Sequence, residues 1–143
     1  MIKAKFNGRE IFLYFSGQAM FELDEIRHAW NDGHVADEAV LGVAEIVAKM
    51  DTERVGVLFE SVEILERAAL AARRALGQDL FDVIPAAELA ALAKPRDVIG
   101  LQAAVMRTIS DGYATDAEHN EPVDVYMIEN QKKKTSPRAG RRT

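Results

Sequence analysis

The chain has 143 residues, 48% of them apolar, a formal charge of −5 and no cysteine. This length and apolar content suffice for one domain with its own core, and the lack of cysteine excludes disulfides, zinc–thiolate sites and cysteine nucleophiles. Because no apolar run approaches the roughly 20 residues that span a bilayer, and the first residues lack the apolar stretch of a signal peptide, we expect a cytoplasmic protein without a membrane partner.

The charge is divided unevenly along the chain. Residues 1–131 carry 12 basic and 23 acidic side chains, a balance of −11, whereas residues 132–143 carry six basic side chains and no acidic one. This pattern predicts a folded acidic domain over 1–112, a weakly structured segment over 113–131 and a disordered basic tail. Such a tail can make salt-dependent contacts with nucleic acid. A solvated tail is the simpler interpretation, so we do not expect a nucleic-acid partner.

The first 15 residues predict a β-hairpin. Apolar and charged residues alternate over 2–6, as in a half-buried strand. Asn7-Gly8 follows, the pair that best fits a type I′ turn, and residues 9–15 form the return strand. The end of that strand is apolar on both faces, so one face must pack on helices and the other needs a cover.

The sequence then predicts helices. Ser16 is a suitable N-cap for the first, Gly77 a suitable residue to end the third and Gly112 a stop for the last. Apolar residues spaced by three and four predict helices over residues 17–30, 37–50, 53–76 and 95–111. Pro85 and Pro95 each suit the first position of a helix, which adds a short helix over 86–93 and starts the last one at 95. We therefore predict a mainly α fold with an N-terminal β-hairpin, of the α+β class.

The sequence offers little that resembles an active site. Glu63 and Glu66 on the third helix are interpreted as a solvated pair rather than as an acid–base pair. His28, His34 and His119 do not match a metal-ligand spacing. Neither a glycine-rich phosphate loop nor a serine nucleophile motif is present. We predict no catalytic, metal-binding or cofactor-binding residue, and hence a non-enzymatic protein.

Three aromatic residues are candidates for a partner-binding or self-association surface. Phe12 and Tyr14 lie on the apolar return strand, which would form an association surface if nothing covered its outer face. Trp30, near the end of the first helix, is the third candidate, although we interpret it as a residue at the edge of the core rather than as a ligand-stacking platform. A homo-oligomer formed through the hairpin is one expectation.

Six segments of the chain carry a resemblance to a known family. They are the Asn7-Gly8 hairpin and residues 18–22 (QAMFE), 73–79 (RRALGQD), 95–98 (PRDV), 101–109 (LQAAVMRTI) and 130–135 (NQKKKT). In this order they resemble the tail assembly chaperones of long-tailed phages and prophages of Gram-positive bacteria, and the likeness extends over about residues 1–135.

The resemblance implies a protein that binds the tape measure protein, keeps its long hydrophobic helices soluble and helps recruit tail tube proteins. It also implies action in the host cytoplasm and absence from the mature virion. Two alternatives stay open: a phage structural subunit that self-associates, and a small regulatory protein whose basic tail touches nucleic acid.

Members of this family are often made in two forms by programmed ribosomal frameshifting near the end of the gene. Lysine codons are AAA or AAG, so Lys132, Lys133 and Lys134 require a nearly unbroken run of A. Such runs let a tRNA re-pair one base back. We interpret these three lysines as a candidate frameshift-encoded run, followed by a short zero-frame ending.

Overall fold

The computed structural model describes residues 1–114, and residues Met1–Gly112 form one compact unit. The strands are β1 (Ile2–Phe6) and β2 (Arg9–Leu13), and the helices are α1 (Gly17–Asp32), α2 (Val43–Val47), α3 (Val55–Ala75), α4 (Ala86–Leu92) and α5 (Pro95–Tyr113). This confirms the predicted fold class, mainly α with an N-terminal β-hairpin. The tail with Lys132, Lys133 and Lys134, and most of the predicted segment 113–131, lie outside the described residues.

The hairpin has the predicted turn but a shorter return strand. Asn7 and Gly8 have φ angles of 52° and 80°, as a type I′ turn requires, and the antiparallel register pairs Ile2 with Leu13. β2 ends at Leu13 rather than at residue 15. The reason is that the Tyr14 N–H leaves the ladder and donates to the Leu65 carbonyl oxygen on α3, at 3.1 Å.

The ends of α1 and α3 follow local hydrogen-bonding rules. The Ser16 hydroxyl accepts the Ala19 N–H at 3.1 Å, which confirms the predicted N-cap. At the end of α3, Gly77 adopts a φ of 69°. The Gln78 N–H donates to the Arg73 carbonyl at 2.9 Å and the Gly77 N–H to that of Arg74 at 3.2 Å. These are the two bonds of a Schellman motif.

The predicted second helix over 37–50 is wrong. That segment contains a 3₁₀ turn at Ala36–Glu38 and only a short helix at Val43–Val47. Between them the Asn31 side chain holds the backbone of Val40, donating to its carbonyl at 3.0 Å and accepting its N–H at 2.9 Å. This tertiary clamp, followed by extended backbone at Gly42 with φ −165°, outweighs the local helical pattern.

The core is built around α3, whose Leu58, Val62, Leu65 and Ala69 are fully buried. The hairpin, α1, α2 and α4 pack against this helix. α5 contributes buried apolar residues, and the Gln102 amide on α5 donates to the Val47 carbonyl at 2.7 Å.

Gly112 does not end α5 as predicted, because the helix continues to Tyr113. Its role is close packing. A Cβ at this position would lie 2.4 Å from Phe15 Cδ2 and 2.8 Å from Phe15 Cβ, closer than van der Waals contact allows. The glycine therefore lets the segment between β2 and α1 approach this helix.

Candidate partner-binding surfaces

The outer face of the hairpin is covered at Phe12. The connection between α3 and α4, residues 76–85, places Phe81 with its ring centroid 5.2 Å from that of Phe12. The Arg73 guanidinium lies 4.3 Å from the Phe12 centroid, a cation–π distance. The sequence indicated that this face needs a cover, and residues 76–85 provide it. Phe12 is consequently half-buried, whereas Tyr14 remains 41% exposed.

Four polar contacts hold the α3–α4 connection in place. In two of them an arginine donates to a backbone carbonyl of the connection: Arg73 Nη1 to Asp79 (3.0 Å) and Arg9 Nη2 to Asp82 (2.8 Å). In the other two a backbone N–H donates to a carboxylate of α3: Ile84 to Glu66 Oε1 (3.0 Å) and Ala86 to Glu63 Oε1 (2.6 Å). The contact to Ala86 satisfies the first backbone N–H of α4, which has no capping side chain of its own, and the contact to Ile84 satisfies an N–H just ahead of the helix. Glu63 of α3 therefore takes the place of a local N-cap.

Glu66 is the exceptional member of this set, because its side chain is fully buried. Its second oxygen, Oε2, has no hydrogen-bond partner among the described residues. Burial raises the pKa of Glu66 from 4.5 to about 7, against a smaller lowering by the Ile84 N–H. The interpretation of Glu63 and Glu66 as a solvated pair is thus wrong for Glu66. It lies four residues after Val62 and one after Leu65, beside the buried stripe, and this spacing is the signal that sequence reasoning missed.

Replacing Phe81 by alanine should lower the free energy of unfolding by about 2 kcal/mol, since a half-buried ring and its contact with Phe12 are lost. Urea unfolding measures the difference. The neighbouring Leu80 is 55% exposed, so Leu80→Ala is the matched control and should change stability by less than about 0.5 kcal/mol. Equal effects of the two substitutions would contradict the role of Phe81 as the cover of the hairpin.

Trp30 lies in a different environment from the hairpin aromatics. It is only 8% exposed, its ring stacks on His34 at a centroid distance of 4.1 Å, and the Arg54 guanidinium lies 5.2 Å from its centroid. The structure thus does not join Trp30 with Phe12 and Tyr14 through shared contacts.

Both ring nitrogens of His34 face acceptors. Nδ1 lies 2.6 Å from the Trp30 carbonyl oxygen and Nε2 lies 2.6 Å from Glu53 Oε2. Only the doubly protonated imidazolium can donate to both. The Trp30 carbonyl and, after it, Glu53 accordingly raise the pKa of His34. This histidine links the end of α1 to the start of α3.

A groove of about 600 Å³ runs between α1 and α3. Its apolar floor consists of Ile26, Ala29, Trp30, Val57 and Ile64, and its rim of Glu22, Glu25, Glu60, Glu63 and Arg67, with Gly33 and His34 at one end. We call this feature the α1–α3 groove. A smaller cavity of about 530 Å³ lies on the other side of Trp30 and His34, toward α2.

Ion pairs fix one end of the α1–α3 groove. Arg67 Nη1 lies 3.0 Å from Glu22 Oε1, across the two helices, and Arg67 Nε lies 3.5 Å from Glu63 Oε2. The Gln18 amide and Arg67 lower the pKa of Glu22, so this carboxylate is ionised at neutral pH. Glu25 and Glu60 are exposed, and within residues 1–114 neither has an ion-pair or hydrogen-bond partner.

Residues 1–114 contain neither a cluster of metal ligands nor a membrane-spanning helix. Over residues 1–114, no three or more His, Cys, Asp and Glu side chains are grouped so that they could hold a metal ion. His28 Nε2 lies 3.5 Å from Asp24 Oδ2, and His119 lies outside the described residues. No helix in the same range combines the length and apolar character needed to cross a bilayer.

Comparison with known proteins gives no relative. No protein-family model matches the chain, and no curated protein and no solved structure is significantly similar to it.

Proposed function

We propose that this chain is a tail assembly chaperone of a phage or prophage, which binds the tape measure protein and helps recruit tail tube subunits while the tail is built. The family resemblance of the sequence supplies the partners. In this proposal the protein makes and breaks no covalent bond, needs no cofactor, acts in the cytoplasm of the host and is absent from the mature virion.

The α1–α3 groove is the observation that carries the proposal. A protein that keeps another chain's apolar helices soluble needs a surface that is apolar at its centre and charged at its edge. The groove has an apolar floor and four glutamates on its rim, which suits the burial of one face of a helix. The balance of −11 over residues 1–131 would keep such a complex in solution by charge repulsion between complexes.

Co-expression with the neighbouring tail genes tests the proposal. The tape measure protein should be insoluble when made alone and soluble when made with this chain, and the two should co-purify. Co-expression with an unrelated acidic helical protein of similar size is the control. A tape measure protein that stays insoluble, with none of it bound to the chain, would contradict the proposal. Self-association without any such binding would favour the structural-subunit alternative.

The coding DNA gives an independent check. An A-rich slippery heptamer over Lys132, Lys133 and Lys134, with an overlapping reading frame that continues downstream, would support a second, frameshifted form. A tail tube gene upstream and a tape measure gene downstream would support the assignment of partners. A run of AAG codons with no overlapping frame would remove the frameshift from the proposal.

A further inference from the structure

We infer that the α1–α3 groove binds a partner's amphipathic helix that places its apolar face on the groove floor and Lys or Arg side chains along the two glutamate rims. This inference rests on the proposed function for one point, the identity of the partner as the tape measure protein. The match between the groove and a basic amphipathic helix rests on the groove's own residues.

The dimensions of the groove fit a short helix. It extends along α1 from Glu22 to Gly33, which at 1.5 Å per residue is about 17 Å, or about three helical turns. Ala29 and Gly33 line the groove one turn apart. Because both residues are small, a partner helix can approach α1 closely there.

The charges of the groove select a basic partner. Its lining carries four glutamates against two cationic groups, Arg67 and His34. His34 is paired with Glu53 outside the groove, and Arg67 is already shared by Glu22 and Glu63. The free negative charge therefore belongs to Glu25 and Glu60, one on each wall. Since they lie on opposite helices, a helix between them can present a cation to each side while its apolar face meets Ile26 and Val57.

The same charges disfavour a second copy of the folded domain as the occupant. Each full chain carries a net charge of −5, so two copies repel each other as they approach groove to surface. Like charges brought together at an interface cost affinity and slow association. A basic helix from another protein is attracted instead.

The test uses two synthetic peptides without tryptophan and the full chain. Both peptides have about 18 residues, since shorter helices are marginal in water, and both carry leucine along one face. One has lysine at the flanking positions and the other has glutamate. Trp30 is the only tryptophan of the chain and lines both the groove and the smaller cavity on its other side. Its fluorescence emission therefore reports binding at either place, and substitutions at Glu25 and Glu60, which line the groove alone, separate the two.

We expect the lysine-flanked peptide to bind the wild-type chain at least about tenfold more tightly than the glutamate-flanked peptide at low salt. The Glu25→Lys/Glu60→Lys variant should reverse this preference. Its affinity for the lysine-flanked peptide should fall about tenfold, and its affinity for the glutamate-flanked peptide should rise. A variant that had merely lost its fold would bind neither peptide. The reversal therefore separates a charge effect from unfolding.

Two further variants complete the design. Ala29→Gln fills the floor of the groove without changing its charge, and should lower the affinity for both peptides about equally. Asp37 is an exposed residue outside the groove. Asp37→Lys makes the same change of charge as each rim substitution, and it should leave both affinities within about twofold of the wild type.

Several results would overturn the inference. They are equal binding of the two peptides, no response to the rim substitutions, and an equal response to Asp37→Lys. Self-association of the wild type that disappears in the rim variant would assign the groove to a second copy, against the inference.

The tape measure experiment distinguishes failure of this inference from failure of the proposed function. If the tape measure protein binds the wild type and the rim variant equally well, the function stands and the groove inference fails. If it binds neither, while the lysine-flanked peptide binds the groove as expected, the proposed function fails and the groove inference stands for another partner.

Discussion

Replacing Glu66 by glutamine should remove most of the loss of stability that the wild-type chain shows between pH 5 and pH 8. The pKa of Glu66 is raised from 4.5 to about 7 by burial. The folded state therefore holds this proton more tightly than the unfolded state does. The stabilisation that comes from the protonated Glu66 carboxyl group is fully present below pH 4.5 and is lost as the pH rises through 7. The difference in pKa corresponds to about 3 kcal/mol.

The groups that face Glu66 come from three elements. Arg9 on β2 lowers its pKa, whereas Glu63 on α3 and Glu88 on α4 raise it, and the Ile84 N–H donates to it. A glutamine keeps the acceptor for that N–H and cannot ionise. Above pH 7 the variant should therefore be more stable than the wild type, because it has no buried charge beside two other carboxylates.

Urea unfolding between pH 5 and pH 8 measures the effect. His34 also has a raised pKa, so its contribution falls with rising pH in both proteins and cancels in the comparison. Glu60→Gln is the matched control, since Glu60 is exposed on the same helix and its removal should leave the slope unchanged. Equal stability of the wild type at pH 5 and pH 8, or a slope in Glu66→Gln equal to that of the wild type, would contradict the assignment.

The sequence could predict those parts of the fold that depend on local patterns. Asn7-Gly8 indicates its turn because only residues that tolerate positive φ fit there. Ser16 indicates the start of α1 because its hydroxyl meets a free N–H. The apolar stripe of α3 indicates a central helix because its spacing places one continuous face toward the core.

Features set by distant residues could not be predicted in this way. The Asn31 clamp on Val40 joins residues nine apart and breaks the expected second helix. The cover on Phe12 comes from Phe81, which follows a helix of 21 residues. The α1–α3 groove needs the relative position of two helices, which their separate periodicities do not give. Trp30, which the sequence offers as a candidate, lines the groove, whereas Glu25 and Glu60 look in the sequence like any solvated glutamates.

Replacing Leu65 by alanine should lower the free energy of unfolding by about 3–4 kcal/mol. Leu65 is fully buried on α3, in the core cluster that also contains Ile11 and Leu13 of β2. The cost includes the lost apolar contacts and the cavity that remains, which the hairpin cannot collapse to fill because the Tyr14 N–H stays bonded to the backbone of residue 65.

Leu76→Ala is the matched control, because it removes the same atoms from a residue that is 70% exposed at the end of the same helix. It should change stability by less than about 0.5 kcal/mol. A domain of this size has a total stability of about 5–15 kcal/mol, so the loss at Leu65 takes a fifth or more of it, and urea unfolding resolves the two variants easily. If both substitutions had the same small effect, α3 would not be the centre of the core. The α1–α3 groove would then lack the rigid wall on which its binding to a helix depends.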